Sequence, residues 1–142
     1  MRSSYLEPNS SVSNLALKYE EIAAAKTLTA ADSGKVFGIN QASAYEITLP
    51  LAATAGIGWH CKFVLSTAAS NAVTIANNTD EDTIVGHVVG ADASAGNSVS
   101  SAVDEIVFIS GAEIGDQVEI FCNGVKYFAK AQCHDVAHVT IS

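Results

Sequence analysis

The chain has 142 residues, the size of one ordinary domain, long enough to bury a substantial core and too short for two comfortable ones. Hydrophobic residues make up 49% and charged residues only 15%, which excludes an intrinsically disordered chain and leaves few charges to keep a lone monomer soluble. The net charge is −8, and residues 1–35 balance four basic side chains (Arg2, Lys18, Lys26, Lys35) against four acidic ones (Glu7, Glu20, Glu21, Asp32), so the whole excess lies in residues 36–142 and argues against the clustered basic face that nucleic acid requires.

No apolar run approaches the roughly 20 residues of a membrane-spanning helix, and the opening MRSSYLEPNSS has no apolar stretch like that of a signal peptide. No membrane partner is expected, and synthesis in the cytoplasm is. Residues 1 to about 13 are rich in Ser and Asn and give no basis for autonomous structure, so they read as an arm whose anchors, Tyr5 and Leu6, suit burial against a neighbouring surface. From Leu15 to Lys26, Leu15, Tyr19 and Ile22 fit a helical stripe, whereas Leu15, Leu17 and Tyr19 fit strand alternation. Extended structure is preferred, because Thr27, Leu28 and Thr29 continue a strand-like run up to the turn at Asp32-Ser33-Gly34. The division expected is an N-terminal arm or extended segment over residues 1–26 and a β-sandwich over 27–142, with Tyr5, Leu6, Leu15, Leu17 and Tyr19 as partner-binding residues of the arm.

From Lys35 onward, short β-rich runs alternate with Gly, Asn, Ser and Asp clusters. Nine strands are predicted, at 36–39, 45–49, 59–65, 73–76, 83–89, 106–109, 117–122, 126–131 and 137–141, with no helix between them. That is the regime of an all-β sandwich or barrel. In one run Trp59, Cys61, Phe63 and Leu65 share a face opposite His60 and Lys62, and in another Val118, Ile120 and Cys122 alternate with Gln117 and Glu119 before a tight Asn123-Gly124 hairpin turn. Residues 90–102 are nearly all Ala, Gly, Ser and Asn and read as a long surface loop.

Three cysteines, Cys61, Cys122 and Cys133, cannot all pair within one chain and form no CxxC. Cys61 and Cys122 fall on inward-facing positions and read as buried free thiols. His134 and His138, beside Cys133 and Asp135, raise a metal reading, but four-residue spacing converges on a helix and not on a loop entering a strand, so surface or interface histidines are expected. Asp80-Glu81-Asp82 with Asn77 and Asn78 lacks the spacing of a calcium loop, and 111–116 lacks the Lys-Ser/Thr pair of a phosphate loop; both read as turns. No Gly-x-Ser-x-Gly elbow occurs. Nothing here proposes an enzyme, a metal or a cofactor.

The order of the motifs is recognisable. Residues 27–37 (TLTAADSGKVF) are followed by Ile47-Thr48-Leu49-Pro50, by Gly58 ahead of Cys61-Lys62-Phe63-Val64, by Val73-Thr74-Ile75 and Ile84-Val85-Gly86, and by Gly115-Asp116-Gln117-Val118-Glu119-Ile120 before Asn123-Gly124-Val125-Lys126-Tyr127-Phe128. Over about residues 27–131 this order resembles the β-sandwich modules of tailed-phage virion proteins, most of all capsid decoration (cement) proteins. The resemblance implies a jelly-roll-like sandwich assembled as a homotrimer on the capsid exterior, with the major capsid protein as partner and N-terminal segments touching the shell or adjacent subunits. Its alternative is a tail fibre, spike or tail-associated receptor-binding module.

Overall fold

The computed structural model describes residues 17–68, 70–78, 83–91 and 97–142, with backbone alone for 97–101. Twelve strands are found among these residues: β1 (Lys18–Ile22), β2 (Lys26–Thr27), β3 (Lys35–Asn40), β4 (Tyr45–Thr48), β5 (Ile57–Thr67), β6 (Val73–Ala76), β7 (Ile84–Gly90), β8 (Asn97–Val103), β9 (Glu105–Phe108), β10 (Gln117–Asn123), β11 (Tyr127–Cys133) and β12 (Val139–Ile141). They form a seven-stranded sheet in the order β1-β3-β5-β10-β11-β7-β8 and a five-stranded sheet in the order β12-β9-β6-β4-β2. The all-β sandwich expected from the sequence is therefore present. Among the described residues no helix is long and apolar enough to cross a membrane.

The two halves of the chain build the sandwich differently. β1 to β6 alternate between the sheets, so β1, β3 and β5 stack in parallel in one while β2, β4 and β6 stack in parallel in the other. Parallel neighbours need a crossover, and here each crossover is a strand of the opposite sheet. This lays like on like: Phe37 stacks on Phe63 with ring centroids 5.5 Å apart. β9 to β12 close the structure mainly with antiparallel pairings, β10 against β5 and β11, and β9 against β6 and β12, while β11 runs parallel to β7 on its other side. Jelly rolls are built from antiparallel Greek keys, and this mixed pairing gives the sandwich a strand order of its own.

All nine predicted strands are found, with boundaries shifted by a few residues. Residues 18–22, expected to be extended, are extended and hydrogen-bonded into the seven-stranded sheet beside β3. Two features differ from expectation. Asn97–Val103, within the stretch read as a loop, is strand β8, an edge strand antiparallel to β7. Its ladder uses backbone groups that small residues carry as well as large ones, so the absence of an alternating pattern did not prevent pairing. Ala52–Ala55 form one helical turn, α1, ended by Gly56 at φ 85°, a backbone conformation that glycine adopts freely.

The core lies between the sheets, and Trp59, Cys61, Phe63 and Leu65 of β5 face it together with Val118, Ile120 and Cys122 of β10, as their alternation predicted. Cys61, Cys122 and Cys133 are all buried and free. Burial pushes the Cys61 thiol well up and the Cys133 thiol up to about 12, so both stay protonated near neutral pH. Gly86 is required by close backbone approach, because a Cβ there would lie 2.2 Å from the Ala129 carbonyl oxygen of the neighbouring strand.

Candidate functional site

The outer face of the seven-stranded sheet presents ordered cross-strand rows. Strand register aligns His60, Phe121, Phe128 and Val85 in one row, and Lys62, Glu119, Lys130 and His87 in the next. Period-2 alternation is responsible, since each of these residues neighbours a core residue along its strand and must point the other way. Phe121 is 51% exposed, and its ring stacks on that of Phe128 at 4.9 Å and 21°. Together the rows line a groove of about 890 Å³, whose wall towards β1 includes Leu17, Gly34 and Lys35.

At one end of the sandwich a second apolar surface gathers Leu51 (41% exposed), Ile57 (89%) and Val125 (68%). Each is held by an identifiable device. The Tyr127 hydroxyl, buried in the core, donates to the Pro50 carbonyl at 2.6 Å and fastens the approach to Leu51. Gly124 takes a positive φ of 89° at the first central position of the β10–β11 hairpin, as a two-residue loop favours. The Asn123 side-chain oxygen accepts from the amides of Val125 and Lys126 at 3.0 and 2.8 Å, which pins the tip and turns Val125 outward. Ile57 lies against this hairpin, within 3.2 Å of where a Gly124 Cβ would be. A cavity of about 440 Å³ opens beside Leu51 and Val125, and none of the described residues lining it carries a charge.

Two buried aspartates close turns at opposite ends of the large sheet. Asp32 accepts from the Thr29 amide at 2.8 Å and from the Lys35 ammonium at 2.7 Å. Lys35 also reaches Glu20 of β1 at 3.0 Å, and Glu20 pairs in turn with Lys26. Burial pushes the Asp32 carboxyl up, but Lys35 and the Thr29 amide outweigh it and hold the group below its ordinary value. This turn abuts the groove, since the Gly34 amide donates to the His60 carbonyl at 2.7 Å.

At the other end, fully buried Asp116 accepts from the Glu113 amide at 2.8 Å, and from the amide and ring Nδ1 of His134 at 2.8 and 2.7 Å; His138 Nδ1 lies 2.8 Å from its second oxygen. An ionised carboxylate can only accept, so each of these ring contacts is a hydrogen bond in the form that carries a proton on Nδ1. Burial again pushes the carboxyl up, and these donors bring it below its ordinary value, while the hydrogen bond to Asp116 raises His134.

His134 and His138, read from sequence as surface or interface histidines, converge on one carboxylate. The 3-10 turn Val136–His138 supplies the bend that spacing alone did not reveal. Among the described residues no group of three or more His, Cys, Asp or Glu is disposed to hold a metal ion. Asp80, Glu81 and Asp82 lie outside the described residues. So do Tyr5, Leu6 and Leu15 of the expected partner-binding set. Leu17 and Tyr19 are both exposed; Leu17 lines the groove, and Tyr19 lies over Gly38 on the same sheet face, where its hydroxyl fills the place a Cβ would take. Phe121, Ile57 and Val125 were missed as surface candidates. For Phe121 the signal was available, because it is the apolar exception on the polar face of an alternating strand.

No family model, no curated protein and no solved structure matches the chain.

Proposed function

We propose that this chain is a structural subunit of a tailed-phage virion, a decoration protein that binds the outer capsid surface, bridges capsomers as a homotrimer and stabilises the shell. The observation that carries the reading is the apolar end formed by Leu51, Ile57 and Val125, where none of the described residues lining the adjoining cavity carries a charge. In a protein of net charge −8, an end whose described lining carries no charge favours a protein partner, since charge depletion at the core of the patch is what marks protein interfaces. The order of motifs along residues 27–131 supplies the link to virion proteins. Stabilisation then follows by mass action, since a ligand bound only by the assembled shell favours that shell.

Electron cryo-microscopy of particles is expected to place ordered density for this chain on the capsid exterior, whereas density at the tail would replace the reading with that of a tail-associated module. With undecorated shells, purified protein is expected to bind, and the double variant Ile57→Asp, Val125→Asp is expected to lose binding by 100-fold or more. Both side chains are exposed, so its melting temperature should stay close to that of the parent. Full binding by the double variant would overturn the assignment of this end.

A further inference from the structure

The groove over Phe121 and Phe128 is not part of the apolar end, and its shape restricts what can fill it. A second copy of the same sheet face would set hollow against hollow and leave a void, which forfeits the contacts that make apolar association favourable. A sugar ring needs an open aromatic face, but Phe121 and Phe128 are stacked on each other, so each has already given one face to its neighbour. What fits is a narrow, convex and largely apolar occupant, such as an extended peptide segment.

One such segment is delivered to the site by the chain itself. Leu17, 76% exposed, is both a lining residue of the groove and the point at which residues 1–16 join the described structure. Those residues include Tyr5, Leu6, Val12 and Leu15 among polar neighbours. From β3 to β7 the groove crosses four inter-strand spacings, about 19 Å. Sixteen extended residues can reach about 50 Å, so fewer than half of them suffice. A tether this short holds the segment at an effective concentration on the order of millimolar, so even a weak contact is populated.

We propose that the groove is the seat of the chain's own N-terminal segment, residues 1–16 folding back in cis so that apolar side chains of the segment cover Phe121 and Phe128. This goes beyond the virion reading, because it concerns the isolated subunit. It also accounts for how a chain with 49% hydrophobic residues shields this face when alone.

The test uses the full chain. A nitroxide placed through Ser10→Cys, with the three buried native thiols left unmodified, should broaden the amide NMR signals of His60, Phe121, Phe128 and Val85 at least fivefold more than those of β12. The effect should persist when tagged, isotope-labelled chain is diluted tenfold into unlabelled chain, and it should be lost in the Phe121→Ser, Phe128→Ser variant, whose backbone spectrum and melting otherwise report a folded protein. Broadening confined to residues outside the groove overturns the proposal. So does broadening seen only in a mixture of tagged unlabelled chain with untagged labelled chain, since the segment would then belong to a neighbour. No shells are present, so failure here leaves the capsid reading standing, and failure of shell binding leaves this one standing.

Discussion

Asp32 and Asp116 occupy the same local device at opposite ends of one sheet and are neutralised by different chemistry. Each accepts from the amide three residues earlier, Thr29 and Glu113 respectively, while its own amide donates back to that residue's carbonyl. Each turn leads into a strand of the large sheet, β3 or β10. Near the groove the partner is a lysine, whose charge is constant across the physiological range. At the far end the partners are two histidine rings, of which His134 is raised by its hydrogen bond to Asp116 and changes charge as pH rises through that raised value. The difference teaches that one fold can hold two buried carboxylates by the same turn while giving Asp32 a partner of constant charge and Asp116 a partner, His134, that can gain or lose its charge.

The largest expected effect comes from removing the better-buried carboxylate. Asp116→Ala leaves the Glu113 and His134 amides without their acceptor, and the cost of stranding such donors points to a loss of about 3 kcal/mol in urea-unfolding free energy. Asp32→Ala strands the Thr29 amide, while the Thr29 hydroxyl can rotate to another acceptor and Lys35 retains Glu20, so about 1.5 kcal/mol is expected from the same measurement. Equal losses would show that the two turns are energetically equivalent despite their partners.

The pH dependence separates them further. Both carboxyls sit below their ordinary value of 3.8, so each contributes stability above that value and loses it as pH falls through the lowered one. His134 is raised above 6.5, so its contribution is complete below 6.5 and is lost as pH rises through its raised value. Lys35 is raised above 10.5, so its contribution is lost only in strong alkali. Melting temperature should therefore decline gently from pH 6 to 9, and His134→Gln should flatten that decline while Lys35→Gln leaves its slope unchanged. A slope untouched by His134→Gln would end the contrast between the ends. Because the His134 ring is half exposed and solvent-screened, this is the smallest of the expected effects.

Much of the fold was legible because it is local. The alternation through Trp59–Leu65 and Gln117–Cys122 assigned inner and outer faces correctly, since side chains on a strand have only two directions. Asn123-Gly124 marked its hairpin because few residues accept a positive φ. The Asp116 cluster was not legible. Its histidines lie 18 and 22 residues further along the chain, and they meet the carboxylate only because β11 returns beside β10 and a 3-10 turn then bends the backbone. Strand β8 was hidden for the opposite reason, in that its backbone pairs with the edge that β7 offers, a neighbour no local pattern announces.

By itself the sequence determined the class of fold, the inward set of core residues and the acidic character of the body, all of which follow from composition and a two-residue period. Only the tertiary structure decided that the first six strands alternate between sheets, that Phe121 and Phe128 stack on each other within a groove that Leu17 also lines, and that Leu51, Ile57 and Val125 share one end. These depend on which strands become neighbours and in what register, a choice made by the packing of the whole core rather than by any segment within it.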